Sequence, residues 1–109
     1  MSDYEAYKGK LIPTGKTLEE FVEEHDLKEQ SGLSDPLEAF HEVYWEAAYA
    51  EIEGMIYTVE KEELDPYEST FEGKFNSDGS ISFVTKFYNG GCGLGEALEV
   101  CAKNAKESS

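Results

Sequence analysis

The chain reads as an α+β domain: two N-terminal acidic helices, a three-stranded antiparallel β-meander and one C-terminal helix packed on the sheet. Three observations predict this. Helix-start signals precede amphipathic runs in the first half, residues 67–88 alternate about a hairpin turn, and small residues recur at helical spacing after residue 94.

Residues 4–16 carry no clear period and read as an extended or irregular opening segment, broken by Pro13-Thr14-Gly15. Thr17-Leu18-Glu19-Glu20 then fits a capping box, with Thr at the cap and Glu three residues on. The helix that follows should place Leu18, Phe21, Val22 and His25 on one side and Glu19, Glu20, Glu23 and Glu24 on the others. Leu27 falls off that apolar side, so the helix should end near Asp26.

Asp35-Pro36-Leu37-Glu38 restarts a helix, with Asp at the cap and Pro in the first turn. Leu37, Phe40, His41, Tyr44, Trp45 and Ala48 form its expected apolar face, and Gly54 is read as the break after a helix end near Ala50. Glu38, Glu42 and Glu46 run down another side at i, i+4, i+8.

Met55 to Val59 is rich in β-formers and reads as a strand, with a start as early as Glu51. Tyr67 to Phe75 alternates, with Tyr67, Phe71 and Phe75 pointing one way. Asn76-Ser77-Asp78-Gly79 is a hairpin turn, and Ser80 to Tyr88 returns with Ile81, Phe83, Thr85 and Phe87 on one face. Asn89–Gly93 reads as a flexible turn, and Leu94 to about Lys106 reads as a closing helix with Leu94, Ala97, Leu98, Cys101 and Ala105 inward.

The whole of residues 1–109 is one domain of common size. Its 39% hydrophobic and 13% aromatic content separates it from disordered chains of similar charge. No stretch has the length of a membrane span, the first residues lack a secretory pattern, and a cytoplasmic location with reduced cysteines is expected.

The charge is unevenly placed. Residues 17–72 hold 18 Asp or Glu against two Lys, whereas the remainder holds six acids and seven Lys; the whole chain carries −15. Such a chain repels nucleic acid and anionic lipid, and its partners should be basic. All nine cations are Lys, which removes the bidentate Arg grip that nucleotide and organic-acid sites favour. A small-molecule ligand is not expected.

Motifs for chemistry are missing or incomplete. Gly90-Gly91-Cys92-Gly93-Leu94-Gly95 lies where phosphate loops lie, but Glu96 follows in place of the Lys-Ser or Lys-Thr such a loop needs. Cys92 and Cys101 should stand about 12 Å apart along the last helix, too far for a disulfide. His25 and His41 have no ligand spacing around them. With no metal, cofactor or catalytic group indicated, an enzyme is not expected.

What remains is an anionic surface. A Glu row on a helix repeats every ~6 Å, and two helices beside a strand approach the phosphate spacing of nucleic acid, one per ~3.4 Å of axis. The expected function is therefore an acidic inhibitor or decoy. It would bind a nucleic-acid-handling protein and block its DNA or RNA site, as the anti-defence proteins of phages and mobile elements do. The alternative is an intracellular adaptor for a basic partner without mimicry. The candidate binding residues are Glu19, Glu20, Glu23, Glu24, Glu38, Glu42, Glu46, Glu53, Glu60 and Glu62, with Trp45 and Tyr49 as apolar anchors.

Overall fold

The structure, a computed structural model, describes residues 4–44, 48–68, 70–88 and 93–108. It is α+β with a single antiparallel sheet, but the described residues form five strands and four helices in place of the expected three and three. In chain order they are β1 (Tyr4–Thr17), α1 (Leu18–Glu24), α2 (Leu27–Ser31), α3 (Pro36–Tyr44), β2 (Tyr49–Ile52), β3 (Met55–Leu64), β4 (Glu72–Phe75), β5 (Ile81–Tyr88) and α4 (Leu94–Ser108). The sheet order is β2-β3-β1-β5-β4, so the opening segment is its central strand, flanked by two hairpins.

Each face of the sheet has its own core. Leu11, Ile81, Phe83 and Phe87 pack with Leu94, Leu98, Cys101 and Ala105 of α4. On the opposite face Ile56 packs with Phe21, Val22, Leu27, Ala39 and Phe40 of α1–α3. Ala6 and Leu11 are both buried, yet an odd spacing separates them, so they point to opposite faces. That is why β1 shows no simple period.

The helix starts form as read. Thr17 and Glu20 make the full capping box: the Thr17 N–H and hydroxyl donate to Glu20 Oε1, and the Glu20 N–H donates to Thr17 Oγ1 at 3.2 Å. Asp35 Oδ2 accepts from the Glu38 N–H at 3.1 Å. Asp26 turns the chain at φ 52°, and Leu27 is thereby swung into the core as the first residue of the unforeseen α2.

Three expectations are corrected. The second helix is shorter than Pro36–Ala50, because Tyr49–Ile52 is a strand; Gly54 serves the β2–β3 hairpin, where Glu53 (φ 54°) and Gly54 (φ 86°) supply the positive dihedrals of a two-residue turn. The inward face of α3 is Ala39 and Phe40 with Val43 and Tyr44, whereas Leu37 and His41 are exposed. Tyr67 to Phe75 is not one strand. Pro66–Glu68 is a 3₁₀ turn in which the Asp65 carboxylate accepts from the Tyr67 N–H, and pairing begins only at Glu72. Tyr67, Phe71 and Phe75 are exposed, because it is Gly73 that meets α4: a Cβ there would stand 1.9 Å from the Cys101 carbonyl oxygen.

The Asn76–Gly79 hairpin and the inward faces of β5 and α4 fall where the alternation and spacing place them.

Candidate functional site: an acidic helical cap

α1, α2 and α3 form a cap on the β2–β3 end of the sheet. A ring cluster holds it together. Phe21 lies 5.0 Å from Tyr49, 5.6 Å from Tyr44 and 5.9 Å from Phe40 between ring centroids. His25 stacks on Phe21, with Nδ1 at 3.1 Å from the Phe21 carbonyl oxygen. Burial, then the neighbouring Tyr49, pushes the Tyr44 phenol above its ordinary range.

The cap's outer side is anionic. Glu19, Glu23, Asp26 and Glu29, with Val22, Lys28 and Pro36, line an open depression of about 720 Å³. Glu19 and Glu23 stand at i, i+4 on α1, and Asp26, at the left-handed break before α2, reaches the same depression. The sequence marks Asp26 and Glu29 only as members of the acidic stretch, because the left-handed turn at Asp26 breaks the helical phase.

The other candidates divide. Glu20 is occupied by the capping box. Glu24 pairs with Lys16 at 2.6 Å, and that hydrogen bond and charge hold its carboxyl below the ordinary value. Glu38 and Glu42 are exposed on α3, outside the depression's lining. Glu53 sits at the β2–β3 turn and pairs with Lys106 at 2.9 Å. Tyr49 is half-buried in the ring cluster, edge-on to Tyr44 at 5.0 Å. Trp45 and Glu46 lie outside the described residues, as does Cys92.

Glu60 and Glu62 lie on β3, outside the depression's lining. They share the cap's side of the sheet, but the register sets Glu60 opposite Lys10 and Glu62 opposite Lys8. Across β1, Ser82 and Val84 complete those rows. The Lys8–Glu62 pair is loose, 3.9 Å apart and half or more exposed, so it neutralises local charge more than it stabilises. The lysines of β1 thus offset part of the acidic charge on this side of the sheet, which they do not do at the α1–α2 depression.

Cys101 is buried beneath α4, its thiol pushed up by burial. Among the described residues, no three His, Cys, Asp or Glu side chains stand together as a metal site, and no helix is long and apolar enough to cross a membrane. No protein-family profile, curated protein or solved structure matches the chain.

Proposed function

We propose that this protein acts by binding, without catalysis, and that the α1–α3 cap docks on a cationic protein surface. In the form we favour, that surface is the DNA or RNA site of a nucleic-acid-handling protein, which the chain blocks as a decoy. The observation that carries the reading is the convergence of Glu19, Glu23, Asp26 and Glu29 around one open depression, with Lys28 as the cation among its lining residues. A like-charge pair on a helix costs about 0.2–0.5 kcal/mol, so such a cluster is retained against stability. Lys- or Arg-rich grooves would relieve that repulsion on docking, with fast, salt-sensitive association.

One observation favours a second reading, an adaptor for a basic partner without mimicry. The sheet acids Glu60 and Glu62 are set against lysines, which breaks the even charge spacing that mimicry of a nucleic-acid backbone would use.

The test is affinity capture with the immobilised chain, followed by challenge with duplex DNA and with RNA. A decoy loses its partner to one competitor, and the E19K/E23K variant captures it only weakly. Retention of the partner against both competitors, with loss in E19K/E23K, supports the adaptor. Equal capture by the variant removes the cap from the interface.

A further inference from the structure

The outer edge of β2 is the second place where this fold can take a basic chain. The Val59 N–H donates to the Ala48 carbonyl at 2.9 Å, so residues 48, 50 and 52 turn their backbone groups toward β3. Tyr49 and Glu51 therefore turn their N–H and C=O groups outward. β2 ends the sheet, and no described strand pairs with that side. Unpaired edges invite another strand unless something blunts them.

β2 is only four residues long, and among the described residues its edge is set in a cleft. α3 stands on one side and the start of α4 on the other, and the space between them is about 250 Å³. Tyr44 and Glu51 line the α3 side, and Glu96 and Glu99 line the α4 side. A strand added to β2 points alternate side chains to the two sides. Carboxylates stand on both, two on the α4 side and on the other Glu51, beside His41 and with its Oε1 accepting from the Gly54 N–H, so consecutive cationic residues, not alternating ones, are the complementary pattern. The space suits one or two side chains, with the peptide backbone running along β2.

Two other forces act at this edge. The N-terminus of α4 contributes about half a positive charge, which opposes a cation, but Glu51, Glu96 and Glu99 exceed it. A second copy of this chain is disfavoured, because each copy carries −15 and pairing would bring Glu51 toward Glu51.

We infer that the β2 edge between α3 and α4 accepts an extended Lys/Arg-rich peptide segment as a sixth strand. The inference rests on the reading of a basic partner and names the kind of segment the partner offers, at a site separate from the α1–α2 depression.

The probe is a capped (Lys-Arg)3 peptide, with a copy N-methylated at alternate residues, titrated into the ¹⁵N-labelled full chain. N-methylation keeps the charge and removes strand hydrogen bonds. The expected result is about tenfold slower amide exchange at Tyr49 and Glu51, and about tenfold weaker binding of the methylated copy. E96Q/E99Q should weaken binding about tenfold, whereas E60Q/E62Q, which removes the same charge from exposed positions of β3, should change it less than about threefold. Equal affinity of the two peptides, unprotected Tyr49 and Glu51 amides at saturation, or no binding overturns the inference. If binding is lost instead in E19Q/E23Q, the cap reading stands and the β2 site falls. If Tyr49 and Glu51 are protected while E19K/E23K retains its captured partner, the cap falls and the β2 site stands.

Discussion

Replacing Gly73 with alanine tests how the edge hairpin is held. The added Cβ would lie 1.9 Å from the Cys101 carbonyl oxygen and 3.1 Å from the Ala105 Cβ. Ordinary contact begins near ~3.4 Å, so β4 and α4 must part by about 1.5 Å at this point. Neither can yield alone. β4 is hydrogen-bonded to β5 through Glu72–Phe75, and α4 buries Leu98, Cys101, Ala102 and Ala105 against the sheet. Overpacking costs about 1–3 kcal/mol, and a clash with backbone belongs at the top of that range. At about 4–8 °C per kcal/mol for a domain near this size, Tm should fall by about 10–20 °C. Gly95 is the control, since a Cβ there meets nothing within 4 Å and the residue lies inside α4. Gly95→Ala should raise stability by up to ~1 kcal/mol. Calorimetry and urea titration read both variants. A Gly73→Ala protein melting within about 2 °C of the wild type would refute the docking of β4 on α4.

Further expectations follow from the cap and its neighbours. Phe21→Ala removes the ring shared by Phe40, Tyr44 and Tyr49, and should cost about 3–5 kcal/mol by urea titration. Glu23→Lys replaces a repulsive i, i+4 pair with an attractive one to Glu19, and should add about 0.4–1 kcal/mol while weakening partner binding; a destabilised variant would contradict the packing of α1. Lys16→Gln should return Glu24 toward its ordinary 4.5, read by ¹³C carboxyl titration. Because the folded carboxyl is held low, the pair's stabilisation is complete above 4.5 and fades as pH falls through the lowered value; unchanged titration would mean the pair does not form in solution.

How far the sequence discloses this fold depends on whether one element serves one face. α1, α4 and β5 each bury a single stripe, and their periods give their inward residues directly. β1 is covered on both faces at different points along its length, with exposed Lys8 and Lys10 between Ala6 and Leu11, so neither a period of two nor a helical period emerges. β2 was hidden for another reason. Phe40, Tyr44 and Ala48 continue a helical spacing into it, and four residues are too few to show alternation. The aromatic alternation of Tyr67, Phe71 and Phe75 misled because the contact with α4 is made through the absence of a side chain at Gly73.

The candidate site was legible as a region more than as a residue set. The acidic block pointed to α1, whose Glu19 and Glu23 line the depression, and missed Asp26 and Glu29 because the helix was ended there. Glu60 and Glu62 belong to the same block in sequence, yet the β1 register sets lysines against them, which only pairing between distant strands decides. Glu51, Glu96 and Glu99 meet across the β2 edge from segments more than forty residues apart, so no local pattern marks them.

The most direct measurement is the affinity of the captured partner for the wild-type chain and for E19K/E23K, each across a salt series with and without competing duplex DNA or RNA. An anionic cap as the docking face predicts wild-type binding that weakens steeply with salt and with one competitor, and a variant whose residual binding is weak and nearly salt-independent. A variant that binds as tightly as the wild type, with the same salt slope, would contradict it.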